Sequence, residues 1–420
     1  MKLILSIALR NLRRHKLRTA VSISAIVIAV VIGIFYRGLL LGYSESTFNN
    51  FIQLNSGHAR IVHSEYARRE RTMSLYYPVD GWEDADLEEM RRQIGGLEQV
   101  AGTLPRLKFG ASRAEGEDMV HMQGWGVDIE AEKNLTDFPR QLSAGRLPQP
   151  GSREIAMGGR LMDKLEREVG DTITLIYSTA FRSLQGSTLT ITGRIETDLP
   201  YFDENAFLIP LDQAGEMLDM PGEATELLVM AREREDTDAL IAGLNDLMAG
   251  YGVSDRYQIT SWREAGGIVQ WLIAYQRIIF VVMAGVVFLG SIVVINTLKM
   301  IIKERTEEIG TMAALGLSRR EIIMLFTAEG GFMGIAGSLL GIIVGGLLTA
   351  IFSRTGLDFG EVMEAMGGDT LIDTVVYPEF SLSSLAVAFV IGVVVTTLAC
   401  VIPARQAAEV EPSEAMKDLK

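Results

Sequence analysis

Apolar residues are concentrated in four long runs, one at 20–41 and three in the last third of the chain at 278–298, 325–352 and 382–402. Each exceeds the roughly 18 residues that read as a membrane-crossing helix. Between the first and second runs, 43–270 mixes charged and apolar positions in short blocks. The pattern predicts four transmembrane helices with one large soluble domain inserted between helices 1 and 2.

Within the inserted stretch two periods alternate. Residues 59–63, 120–127, 172–177, 189–195 and 253–260 alternate as strands do, and 84–94, 160–169 and 236–248 carry helical spacing. Leu161, Met162, Leu165 and Val169 share one helix face, and Gly170-Asp171 signals a turn before the next strand. Interleaved strands and helices predict a mixed α+β domain.

Charge then orients the chain. Lys2, Arg10, Arg13, Arg14, Lys16 and Arg18 precede the first run with no acid among them. Basic flanks stay in the cytoplasm, so both termini are expected inside. The loop after the second run, with Lys299, Lys303, Arg305, Arg319 and Arg320, is expected inside as well. The loop after the third sets Arg354 against Asp358, Glu361, Glu364, Asp369, Asp373 and Glu379 and is expected outside. A signal peptide is the competing reading of 20–41. Its apolar part, however, outruns the roughly 7–15 residues of such a segment, and no A-x-A site follows.

The net charge of −14 resides in the inserted stretch, where 43–270 holds 22 Lys and Arg against 38 Asp and Glu. So acidic a domain is a poor partner for nucleic acid. The single cysteine, Cys400, lies in the last run, so no intrachain disulfide can form, and a packing role is expected.

Candidate chemistry is sparse. No G-x-x-x-x-G-K-[ST] occurs, and Gly-Lys is missing altogether, so no P-loop is expected and no cofactor is assigned to this chain. His15, His58, His63 and His121 form no H-E-x-x-H, and packing or surface roles fit them. Acid pairs such as Glu83-Asp84 and Glu88-Glu89 read as solvated helix surface. Two membrane-adjacent patterns remain. In 296–316, charges face apolar residues and Gly310 and Gly316 permit changes of direction. That segment is either an interfacial connector or a short helix docking on a cytoplasmic protein. In the third run Gly337, Gly341 and Gly345 fall four apart, on a stripe suited to close helix packing in lipid.

Glu304-Arg305-Thr306-Glu307-Glu308-Ile309-Gly310, then Ala313-Ala314-Leu315-Gly316, Ser318-Arg319-Arg320-Glu321-Ile322 and Glu329, resemble the signature of FtsX/MacB-type permeases. These are the type VII ABC transporter permeases, which include the LolC and LolE lipoprotein-releasing subunits. Pro403-Ala404-Arg405-Gln406-Ala407-Ala408 with Pro412-Ser413-Glu414-Ala415 is similar to the family's end, and 8–19 to its start. Ala144-Gly145-Arg146-Leu147-Pro148 with Arg153-Glu154-Ile155 and Val169-Gly170-Asp171 resembles the MacB-type periplasmic domain.

The resemblance implies three regions. Residues 1–42 would be the cytoplasmic N-terminus and helix 1, and 43–270 a periplasmic MacB-like domain. Residues 271–420 would be an FtsX-like permease domain with a cytoplasmic coupling loop at about 299–321. It further implies a multi-pass protein of the bacterial inner membrane that pairs with a second permease chain, identical or different, on a cytoplasmic ABC ATPase dimer. ATP and magnesium would be used by that ATPase. Coupling would fall to Arg305, Glu307, Glu308, Ile309, Gly310, Ala314, Leu315 and Gly316, and ATP-driven closure would be passed on by mechanotransmission.

MacB carries an ATPase ahead of its first span, whereas only 18 residues precede it here. That favours LolC/LolE-like release of lipoproteins toward the outer membrane, through membrane lipid. Ile34, Phe35, Leu39 and Leu40 are then candidates for a lipid-side entrance, or they simply face bilayer lipid. The segment 178–187 is a candidate hairpin for recruiting a periplasmic chaperone. The alternatives are MacB-like efflux with an adaptor and outer-membrane channel, and FtsX-like control of a cell-wall hydrolase.

Overall fold

The computed structural model describes residues 2–14, 16–82, 85–115, 118–197, 200–264, 266–359 and 375–409. Four helices are long and apolar enough to cross a membrane, at Lys16–Ser56, Val269–Glu304, Arg319–Thr355 and Leu382–Ala408. A large mixed α+β domain is inserted between the first and second. The chain divides into two compact units, Ser46–Trp271 and the combination of Met1–Glu45 with Leu272–Lys420.

The second of these holds helices α1 (Lys2–Arg14), α2 (Lys16–Phe51), α3 (Gly267–Glu304), α4 (Thr306–Ala314), α5 (Arg319–Thr355) and α6 (Leu382–Ala408). At 1.5 Å per residue α2 is about 54 Å long, well beyond a hydrocarbon core of about 30 Å. The basic segment read as a mere flank is itself helical, α1, burying Ala8 while Leu9 and Arg10 are exposed. The bundle core is Ile26, Val30 and Ile34 of α2, Ile279, Met283, Val287, Val294 and Leu298 of α3, Met333 of α5, and Ala388 and Cys400 of α6. Small polar pairs are satisfied inside it. Ser22 Oγ donates to Thr297 Oγ1 over 3.0 Å, and Ser291 Oγ lies 3.2 Å from Thr396 Oγ1.

The inserted domain is built on one ten-stranded sheet. Its strands are β1 (Ala59–His63), β2 (Val100–Glu115), β3 (Asp118–Val127), β4 (Leu142–Gly145), β5 (Glu154–Gly158), β6 (Thr172–Ser178), β7 (Leu184–Ile195), β8 (Ala206–Pro210), β9 (Glu226–Ala231) and β10 (Tyr257–Ser261). The order is β10-β1-β9-β2-β3-β8-β5-β7-β4, and β6 pairs with both β2 and β7. The path β2-β3-β8-β5-β7-β6 therefore closes on itself. Leu107, Phe109, Ile155, Met157, Ile173, Leu175, Ile191, Phe207 and Ile209 share one core there. A second core lies where β1 and β9 meet the helices Leu87–Gly95 and Thr237–Gly250, through Ile61, Leu227, Met90, Ile94, Leu240 and Leu244. Strand β2 serves both, since Arg106 and residues before it pair with β9 and Arg106 onward with β3.

Several sequence boundaries move. The helix expected over 84–94 starts at Leu87, because Asp86 takes the cap position and accepts from Glu89 N–H at 2.9 Å; residue 84 lies outside the described residues. The helix expected over 160–169 stops at Lys164, since Glu166 adopts a left-handed φ of 50°. The strand expected over 253–260 starts only at Tyr257, because Val253 and Arg256 close a turn. Strand β7 begins five residues before the alternation at 189. The Glu83-Asp84 pair, the acids at 361–373 and the 412–415 motif all fall outside the described residues.

Candidate functional site

The segment 296–316 resolves into the last turns of α3, a break, and the nine-residue helix α4. Arg305, at φ −109°, separates the two helices. At the far end Gly316 takes φ +99°, a region that L side chains avoid. Its N–H bonds to Ala313 O at 3.1 Å and Leu317 N–H to Met312 O at 3.1 Å, the double closure of a Schellman ending. Ser318 then opens α5 with a capping box, its side chain exchanging bonds with Glu321. So α4 is fixed at both ends by local sequence chemistry.

One side of α4 is seated. Ile309, 1 % exposed, and Gly310 are buried, and Ile309 packs with Ile302, Ile322, Phe326, Ala404 and Ala407. The other side is bare. Glu307, Thr311, Ala314 and Leu315 are exposed at i, i+4, i+7 and i+8, one helical face, with Leu315 79 % exposed. Ile309 therefore anchors α4 to its own chain, while Leu315 is an apolar group left uncovered.

Glu308 is also held internally. Arg305 Nε donates to its Oε2 at 2.6 Å and Arg14 Nη1 to its Oε1 at 3.1 Å. Partial burial pulls this carboxyl up, but the bonds and charges of Arg305 and Arg14 outweigh it and hold Glu308 below the usual range. Arg18 pairs with Glu304 nearby. Asn11 Nδ2 donates to the buried Glu329 Oε1 at 2.6 Å. Helix α1 thus binds both α4 and α5. Sequence reasoning missed Asn11 and Arg14 as parts of this site because their partners lie about 300 residues away, and Ile322 because its seat beside Ile309 is completed by Ala404 and Ala407 of α6.

The glycine stripe lies against α2. A Cβ on Gly337 would come 2.7 Å from Ile26 Cβ, one on Gly341 2.7 Å from Val30 Cβ, and one on Gly345 3.2 Å from Ile34 Cδ1. The same contacts locate the entrance candidates. Ile34 is buried at 2 %, inside the bundle, so it does not face lipid. Leu40 packs on the same core, partly buried. Phe35, edge-on to Phe352 at 5.6 Å, and Leu39 are half-buried as well.

In the inserted domain β6 and β7 pair antiparallel from Thr172↔Thr190 to Ser178↔Leu184. The turn between them is closed by Thr179 N–H to Ser183 O at 2.9 Å and exposes Phe181 and Leu184. Among the described residues no group of three or more His, Cys, Asp or Glu could hold a metal ion.

Two family profiles cover the chain. A MacB-like periplasmic core domain matches residues 20–247, and an FtsX-like permease C-terminal domain matches 280–412. The chain belongs to the FtsX/MacB/LolC-LolE superfamily of type VII ABC transporter permeases. This permease is 21 % identical over 434 aligned residues to the lipoprotein-releasing system transmembrane protein LolC of Neisseria meningitidis, covering 98 % of each chain. It is 22 % identical to LolE of Haemophilus influenzae, covering 94 % of this chain and 93 % of LolE. It is 24 % identical to the macrolide export ATP-binding/permease protein MacB of Psychrobacter cryohalolentis, covering 97 % of this chain but 58 % of MacB. The periplasmic region of MacB from Actinobacillus actinomycetemcomitans matches 54 % of this chain and 98 % of its own, with 10 % identity and a TM-score of 0.34. The permease is thus a multi-pass membrane protein and a subunit of an ABC system, and its family works with a cytoplasmic ABC ATPase.

Proposed function

We propose that this permease is one half of a paired, mechanotransmitting complex that releases lipoproteins from the inner membrane toward the outer membrane, in the manner of LolC and LolE. Its termini and α4 face the cytoplasm and its inserted domain the periplasm, a reading the basic flanks support. One observation carries the coupling step. Helix α4 is seated through Ile309 and bare through Glu307, Ala314 and Leu315, the form expected of an element gripped from outside. A push on the bare face is passed by Ile309 to Ile322 and Ala404, hence to α5 and α6 together. ATP and magnesium act in the partner ATPase.

Lipoprotein as cargo is supported by the similarity to LolC along the whole chain. Phe35 and Leu39 would border the lipid-side entrance, and the 178–187 hairpin, with exposed Phe181 and Leu184, would meet a periplasmic chaperone. The slightly higher identity to MacB favours a second reading, efflux through an adaptor and outer-membrane channel.

Reconstitution with the cognate ATPase in proteoliposomes separates the two. Lipoprotein release, the proposed activity, requires ATP and a periplasmic chaperone as acceptor and leaves macrolide accumulation unchanged. ATP-dependent macrolide transport without lipoprotein release would replace it with the second reading.

A further inference from the structure

Arg37 lies near the far end of the apolar run 20–41, and its guanidinium is turned inward. Its Nε donates to Ser384 Oγ of α6 at 3.0 Å, and its Cζ sits 4.8 Å from the centre of the Phe280 ring of α3. Its Nη1 is buried with no hydrogen-bond partner among the described residues. An arginine that merely reached for water would point its tip outward. This one is clamped among three helices with a donor to spare. Glu379 is its acidic neighbour, yet the two form no ion pair among the described residues.

The depth of this site is fixed twice. Arg37 lies 19 positions beyond Arg18, or about 28 Å along the helix, close to the thickness of a bilayer core. At the same end of the bundle Tyr36, Phe280, Tyr377 and Phe380 are exposed, and Tyr36 and Tyr275 share a hydroxyl contact of 2.5 Å. Exposed aromatics of this kind gather where hydrocarbon meets head groups. Arg277, exposed and without an ion pair among the described residues, lies one turn before Phe280 on α3.

A fixed cation with an unused buried donor is costly at the edge of hydrocarbon unless an anion answers it. Glu379 attracts Arg37 without bonding to it, so the anion left to make contact at that depth is a lipid phosphate, and a guanidinium can hold two of its oxygens at once. We propose that Arg37, positioned by Ser384 and Phe280 and assisted by Arg277, is a binding site for the phosphate of a glycerophospholipid head group. Phe280, against which Arg37 packs, is exposed, so the lipid's acyl chains would run along that face of α3. The site is independent of which cargo the permease carries.

The test is native mass spectrometry of the purified full chain in detergent. Dioleoyl phosphatidylglycerol is the probe, dioleoylglycerol its phosphate-free counterpart, and inorganic phosphate the free anion. The wild type should retain phosphatidylglycerol at least about tenfold better than dioleoylglycerol, the scale of one charge-assisted contact, and should keep it in excess inorganic phosphate. Arg37→Gln should lose that preference, Ser384→Ala should weaken it, and Arg140→Gln, on the inserted domain, should leave it unchanged. Should Arg37→Gln fail to fold, Arg37→Lys, which keeps the charge but not the fork, should bind less well than wild type. Equal retention by a monodisperse Arg37→Gln, or by Arg37→Lys and Ser384→Ala together, would overturn the proposal. So would displacement by inorganic phosphate, which marks a free-anion site. Loss of permease pairing with lipid retention intact would also overturn it, marking a carboxylate of the second chain as the true partner.

Discussion

Arg14 Nη1 donates to Glu308 Oε1 over 3.1 Å, joining α1 to α4 across 294 positions of sequence. The pair is largely exposed, so it is worth under about 1 kcal/mol. Its neighbour on α1 is different in kind, since Asn11 answers a buried carboxylate, Glu329.

Removing each partner should separate the two contacts. Asn11→Ala leaves Glu329 buried without its donor and should cost about 1–3 kcal/mol. Arg14→Ala should cost under about 1 kcal/mol. Thermal unfolding of the purified chain in detergent reads the difference. Equal, small shifts would mean that water reaches Glu329 and that α1 is not a structural strap.

The two sides of α4 should respond oppositely. Ile309→Ala empties a buried site among Ile322, Phe326 and Ala404 and should cost about 2–5 kcal/mol. Leu315→Ala, on the bare side, should stay within about 0.5 kcal/mol. Hydrogen exchange over 306–317 gives the comparison. Comparable protection in both variants would show that α4 is not seated through Ile309.

Gly341 sits where a side chain would collide with Val30, so Gly341→Leu must push α2 and α5 apart. A loss of about 1–2 kcal/mol is expected, the scale of small-residue contacts in membranes. A cysteine pair placed at exposed positions along these helices would report the separation through slower cross-linking. Unchanged cross-linking and unchanged stability would put the stripe in lipid.

The inserted domain should weaken in acid through His58. Its neutral Nδ1 accepts from Ala231 N–H at 3.1 Å, and burial, aided by the charge of Arg234, lowers its pKa to about 4. The unfolded chain takes the proton near 6.5. Stability from this group is therefore complete above about pH 6.5 and is lost as pH falls toward 4. His58→Gln cannot be protonated, so the gap between its unfolding temperatures at pH 7 and pH 5 should be smaller than the wild-type gap. An equal gap would assign the acid sensitivity elsewhere.

How much was legible follows from what each pattern encodes. The four spans are long apolar runs, and run length needs no knowledge of neighbours. The Gly337–Gly341–Gly345 spacing gives a stripe, but not which helix it meets. Ile34 shows the limit, because hydropathy assigns a residue to a span without fixing the helix rotation, and Gly345 of α5 turns Ile34 inward. In the inserted domain β8 and β9, Ala-Phe-Leu-Ile-Pro and Glu-Leu-Leu-Val-Met-Ala, are buried at every position, so they lack the alternation that marks a half-exposed strand. Glu226 reads as surface, yet it is buried in β9 with Lys108 at 2.7 Å and Arg60 at 3.2 Å. Strand β2 was hidden by Gly102, Pro105 and Gly110, which break both periods. At α4 the boundaries follow local chemistry, Gly316 and Ser318, but its seating depends on Ala404 and Ala407, about a hundred residues on.

In the proposed mechanism the ATPase grips the bare face of α4. The most direct test is the association of the cognate ATPase with the purified permease carrying Leu315→Asp, read by size-exclusion chromatography with an unfolding temperature measured on the same sample. A charge at the centre of an apolar contact should weaken association by at least about tenfold, while the unfolding temperature matches wild type, since Leu315 touches little of its own chain. Wild-type association by a Leu315→Asp permease of wild-type stability would overturn the proposed grip and leave α4 a connector between two spans.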